Sequence, residues 1–167
     1  MAKRSLSVRT LSPTATADTT ALVDDTYHGF IQGGSTTQRT IVSEVYLGGQ
    51  AGASAPTIMQ LGMNSTVAGT PVLGAAEDAP LDPAMAALAA PVDVGSSATI
   101  DPQRSSTLGV ILALSINAFG GVVRWLAPPD GEVGLVGQAA STGSMSLSAF
   151  TGGTPGLLSS HIIYETL

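Results

Sequence analysis

Leu108-Gly109-Val110-Ile111-Leu112-Ala113-Leu114-Ser115-Ile116 is the stretch that decides the fold. Its residues alternate with period two, the mark of a strand with one buried face. Leu108, Val110, Leu112, Leu114 and Ile116 share one side, and Gly109, Ile111, Ala113 and Ser115 the other. The second side is smaller but still partly apolar, as expected of a central strand in a two-layer sandwich.

Working toward the C-terminus, Gly120-Gly121 reads as a turn and Val122 to Leu126 as the returning strand. Pro128-Pro129-Asp130-Gly131 is a turn signal, because proline fixes φ and glycine accepts positive φ. Glu132 to Gln138 follows as a further strand. In Ser144 to Ala149, Met145, Leu147 and Ala149 face one way and hydroxyls the other, which predicts a half-buried strand. His161 to Glu165 reads as the last strand.

The first half has the same style. Arg39 to Leu47 sets Ile41, Ser43, Val45 and Leu47 against Val42, Glu44 and Tyr46, and Thr57 to Met63 reads as another strand. Ser5 to Leu11 fits an edge strand or an arm, and Ala21 to Gln32 is ambiguous. Asp82-Pro83 ahead of Ala84-Met85-Ala86-Ala87-Leu88-Ala89-Ala90 predicts one short helix, with an acidic N-cap and an N1 proline. Roughly seven to nine short strands between Gly/Pro/Ser turns predict an all-β antiparallel sandwich. The chain length and the absence of a Cys–Trp–Cys signature favour a jelly-roll-like form over an immunoglobulin-like one. The expected organisation is an N-terminal arm over 1–20 and a single sandwich domain over 21–167, with a long irregular insert at 66–102.

Composition narrows the function classes. The 167 residues are 44% hydrophobic, enough for one core, but only 11% charged and 4% aromatic. No cysteine is present, which removes disulfides, thiolate zinc sites and cysteine nucleophiles. A net charge of −6 argues against nucleic acid as a partner. Met1 to Arg9 begins basic without an apolar stretch behind it, unlike a secretory signal. Ser105 to Val123 carries no charge, but Ser115, Asn117, Gly120 and Gly121 interrupt it, so a buried strand and turn is the better reading than a membrane span of about 20 apolar residues.

The candidates for chemistry are sparse. Asp24, Asp25 and His28 match no closed metal site. His161 and Glu165 share a face of the last strand but lie too far apart to couple. Glu77, Asp78 and Asp82 form an acidic loop patch, and Asp130 and Glu132 flank a turn. Neither a Gly-x-Ser-x-Gly elbow nor a phosphate-binding glycine loop occurs, and a hydrolase would have to rely on His28 or His161 without a motif. The expectation is therefore no enzyme, no cofactor and no metal. Trp125, the single tryptophan, reads first as a core aromatic and second as an interface or ligand aromatic. Of six Lys and Arg, Lys3, Arg4 and Arg9 cluster at the start, where a basic arm could dock on an acidic surface.

The scarcity of charge suits surfaces buried against other subunits, and a closed homotrimer is expected by analogy with jelly-roll proteins. Arg124-Trp125-Leu126-Ala127-Pro128-Pro129-Asp130-Gly131-Glu132, with Ser160 to Glu165, resembles small structural proteins of tailed bacteriophages, and the whole composition resembles head decoration (cement) proteins. The resemblance implies a β-rich protein, made in the host cytoplasm, that binds the outer surface of a capsid protein lattice in the virion and stabilises it. Lys3, Arg4 and Arg9 are the candidate docking residues. The alternative is a carbohydrate- or receptor-binding module of a phage tail or fibre, using Trp125, Tyr27, Tyr46 and Tyr164.

Overall fold

The computed structural model describes residues 3–11, 27–33, 39–63, 71–72, 76–82, 84, 92–95, 97–98, 110–136, 144–150 and 157–166. Among them there are thirteen strands and no helix: β1 (Lys3–Leu11), β2 (Tyr27–Gly33), β3 (Arg39–Gly49), β4 (Pro56–Met63), β5 (Pro71–Val72), β6 (Ala76–Pro80), β7 (Val92–Gly95), β8 (Ser97–Ala98), β9 (Val110–Asn117), β10 (Val122–Leu126), β11 (Val133–Val136), β12 (Ser144–Phe150) and β13 (Leu158–Thr166). A six-stranded sheet has the order β10-β3-β13-β1-β6, with β11 also on β3, and a five-stranded sheet has the order β7-β2-β12-β4-β9. Every pairing is antiparallel.

Pairing is nested from the ends of the chain inward. β1 pairs with β13, β2 with β12, β3 with β10 and β4 with β9. The chain thus behaves as one long antiparallel ribbon that crosses between the two sheets. One crossing is visible in detail, where β3 leads into β4 and β9 into β10. Gly49 N–H donates to Gly121 O, Ala51 N–H to Ala118 O and Ala118 N–H to Ala55 O, at 2.8 to 2.9 Å. The Asn117 side chain accepts from the amides of Ala55 and Phe119 and donates to Ser54 Oγ, each at 3.0 Å. Gly120 turns this corner at φ 72°, a conformation that favours glycine.

Both sheets contribute to one buried cluster. Leu6, Val42, Val45, Leu47, Ile162 and Tyr164 come from the first sheet, and Ile31, Met59, Leu61, Ile116, Met145 and Leu147 from the second. Burial of each large aliphatic side chain contributes about 1.5–3 kcal/mol.

Several expectations need correction. β9 alternates as read, with Val110, Leu112, Leu114 and Ile116 toward the core, but among the described residues it is an edge strand and not a central one. Periodicity reports the two faces of a strand, not its neighbours. The arm expected over 1–20 is not free over Lys3–Leu11, because β1 lies between β13 and β6 and Leu6 is fully buried. The insert expected to be irregular over 66–102 supplies β5 to β8, with β6 flanking β1 and β7 flanking β2. Such edge strands take their order from backbone pairing, which small and charged side chains do not advertise. Ser146 and Ser148, expected outside, are buried like Met145 and Leu147.

In β3 the expected phase breaks. Glu44 pairs with Ile163 and Val42 with Tyr164, leaving Ser43 as a bulge residue. Val42, Val45 and Leu47 are therefore buried, while Ile41 is only half-buried. The 128–131 turn forms as expected, with Gly131 N–H donating to Pro128 O, but Asp130 takes the positive φ, at 62°. Asp82 Oδ1 accepts from Ala84 N–H at 2.9 Å, the bond of a capping acid. Residues 85–90 of the expected helix lie outside the described residues.

Candidate functional site

The outward face of the six-stranded sheet carries a polar row that the strand register assembles. Arg124 lies opposite Tyr46, Tyr46 opposite His161, and His161 opposite Ser7. The adjoining row runs Leu126, Glu44, Ile163, Ser5, Ala79. The bulge at Ser43 leaves Glu44 and Tyr46 on the solvent side while returning Val42 to the core.

Glu44 Oε2 is the hub of one half. It accepts from Tyr46 Oη at 2.6 Å and from Arg124 Nη2 at 2.9 Å. The Tyr46 hydroxyl first, and then Arg124, holds the Glu44 carboxyl below the usual carboxylate value. The same bond to Glu44 raises the Tyr46 hydroxyl, and Glu44 raises Arg124. The Arg124 guanidinium also stacks over the Tyr46 ring at 4.9 Å, a cation–π contact.

His161 is the hub of the other half. It meets the Tyr46 ring edge-on with centroids 5.8 Å apart. Its Nε2 lies 2.8 Å from Ser5 Oγ, its Nδ1 3.1 Å from Ser7 Oγ, and the two hydroxyls are 3.4 Å from one another. With a neutral imidazole the three groups can close a ring in which each donates once and accepts once. Both tautomers complete it. Because Nδ1 is taken by a serine and not a carboxylate, the imidazole lacks the orienting acid of a hydrolytic triad. The arrangement staples β1, β13, β3 and β10 side by side. Tyr46, His161 and Ile163 line an open depression of about 420 Å³ above it.

A second surface lies along β9 and β10, at one flank of both sheets. Ile111 is exposed on the outward face of the five-stranded sheet, at 41%, Val122 and Leu126 on that of the six-stranded sheet, at 78% and 56%, and Phe119 at the corner between β9 and β10, at 59%. Leu112, Leu114, Val123 and Trp125 pack against the core but stay half-buried.

The residues singled out in the sequence are thus dispersed. Lys3 is exposed on β1 opposite Glu165, and Arg4 and Arg9 lie on the same strand. Trp125 faces inward opposite Val45 and Tyr164 is fully buried, whereas Tyr46 is placed on the outer face. Tyr27 and His28 lie on β2, while Asp24 and Asp25 fall outside the described residues. Glu77 and Asp78 lie on β6, and Asp82, Asp130 and Glu132 are exposed. Among the described residues no group of three or more His, Asp or Glu could hold a metal ion, and no helix is long and apolar enough to cross a membrane. The Glu44–Tyr46–Arg124–His161 grouping was missed as a unit. Its available signal was the outward phase of Tyr46, Arg124 and His161 on three separate strands. No family model matches the chain, and neither a curated protein nor a solved structure matches it.

Proposed function

We propose that the chain is a structural virion protein of the decoration type, a jelly-roll sandwich that binds the outside of a capsid lattice as a homotrimer and stabilises it. The observation that carries this reading is the outward face of β10, where Val122 and Leu126 are exposed, with Phe119 exposed at the corner before it, apolar side chains suited to burial against protein. The nested pairing supports the jelly-roll assignment, since that fold is an eight-stranded double sheet built from two Greek keys. Here the eight are β1-β13-β3-β10 in one sheet and β2-β12-β4-β9 in the other, with β6 and β7 added at the far side. Attachment at several lattice points would convert weak contacts into durable binding.

Lys3, Arg4 and Arg9 enter this reading as residues of a paired strand, β1, not of an arm. Charge reversal is therefore the appropriate test, because deletion would remove a strand. Sedimentation of the protein with bare capsids of the phage that encodes it should show saturable binding. Reversal of Lys3, Arg4 and Arg9 to Glu should weaken that binding. Light scattering should give about 50 kDa, three protomers of 16.7 kDa. Absence of the protein from the capsid fraction at saturating concentration would overturn the decoration reading.

A further inference from the structure

The two flanks of the molecule are guarded differently. On one side the sheets end in β6 and β7, whose sequences Ala76-Glu77-Asp78-Ala79-Pro80 and Val92-Asp93-Val94-Gly95 carry carboxylates and a proline. These are the devices that keep a sheet edge from pairing with another chain. On the other side the five-stranded sheet ends in β9, Val110-Ile111-Leu112-Ala113-Leu114-Ser115-Ile116-Asn117, which has neither a charge nor a proline. Among the described residues its pairing partner is β4 alone. Its eight residues span roughly 26 Å of edge. The core is also left open along this flank, where Leu112, Leu114, Val123 and Trp125 are half-buried.

Charge identifies the occupant. Protomers of net charge −6 repel one another over most of their surface. β9 has no ionisable group, and the single charge of β10, Arg124, is neutralised by Glu44 at 2.9 Å. This is a flank along which two acidic copies can approach without bringing like charges together, whereas β6 would set carboxylate against carboxylate. We propose that the β9 edge is the contact between copies of this chain, taking a strand of a second protomer by β-augmentation and covering Ile111 and the half-open core beneath Leu112 and Leu114. This inference rests on the homo-oligomer of the proposed function and assigns the surface through which it forms.

The test pairs light scattering with amide hydrogen exchange. The wild type should have a mass of two or three protomers at micromolar concentration, and the β9 amides should be protected more as concentration rises. The double variant Ile111→Lys/Ala113→Lys, altered at two exposed positions, should fall two- to threefold in mass, to that of one protomer, with an unchanged far-UV circular dichroism spectrum. If that variant does not fold, Ser115→Glu, also at an exposed position, serves in its place, and the exchange measurement needs no substitution. A wild type that is monomeric at every concentration would overturn the proposal. So would variants that keep the wild-type mass, or β9 protection that is independent of concentration. Capsid sedimentation of a monomeric variant separates the readings, since capsid binding by single protomers would leave the decoration role standing whatever the mass measurements show.

Discussion

Gly49 lies where the two crossings between the sheets touch, and its replacement by alanine is the most direct probe of that corner. A Cβ there would sit 2.5 Å from the carbonyl carbon of Ala118 and 2.7 Å from its Cα, and closer still to its oxygen. Those atoms are backbone, so a rotamer change cannot relieve the overlap. The strands must separate, which stretches the bonds Gly49 N–H to Gly121 O, Ala51 N–H to Ala118 O and Ala118 N–H to Ala55 O. Forcing an extra methyl into packed structure costs about 1–3 kcal/mol, and each weakened bond up to about 1 kcal/mol. Alanine returns up to about 1 kcal/mol by restricting the unfolded chain. The expected net loss is about 3 kcal/mol, a large part of the roughly 5–15 kcal/mol typical of a domain. Urea unfolding followed by the fluorescence of half-buried Trp125 reads it, with Gly52→Ala as the control, because a Cβ at Gly52 meets nothing within 4 Å. A Gly49→Ala unfolding free energy within about 1 kcal/mol of wild type would refute the reasoning.

Three further outcomes are expected. Thr57→Val should raise stability by about 1 kcal/mol in the same assay, because the buried Thr57 Oγ1 has no hydrogen-bond partner among the described residues. A loss would show that the hydroxyl is bonded after all. Glu44 has a folded-state value below its usual 4.5, so its contribution is complete above that value and fades as pH falls through the lower folded one. Unfolding from about pH 6 down to about pH 3 should therefore show a steeper acid loss in wild type than in Glu44→Gln, and parallel curves would remove the network from acid stability. Deleting residues 3–11 should abolish cooperative unfolding, since β1 lies between β13 and β6. A cooperative transition in that variant would restore the reading of this segment as an arm.

The faces of the strands were legible in the sequence wherever one face is buried. Val110 to Ile116 alternate as their periodicity says, whereas Met145 and Leu147 are buried together with Ser146 and Ser148. Position within a sheet was not legible, because it depends on which distant segment supplies the next row of hydrogen bonds. β1 illustrates this. Leu6 and Val8 alternate with Ser5 and Ser7, yet Lys3, Arg4 and Arg9 drew the reading toward a solvated arm. The expected phase of β3 holds from Glu44 onward and fails before Ser43, because a bulge is a property of the pair of strands and leaves no trace in one of them. The polar row had the same obstacle. Tyr46 and His161 are separated by most of the chain and meet only through the register of β3 with β13.

That β13 lies between β1 and β3 also bears on the timing of folding. The two strands that flank it, β1 and β3, precede it by more than a hundred residues, so the middle of the six-stranded sheet stays unfilled until β13 is available. Most of the closure entropy must then be met by contacts of very long sequence separation, the regime in which two-state domains take milliseconds to seconds to fold. Folding of the six-stranded sheet during synthesis therefore waits until β13 has been made.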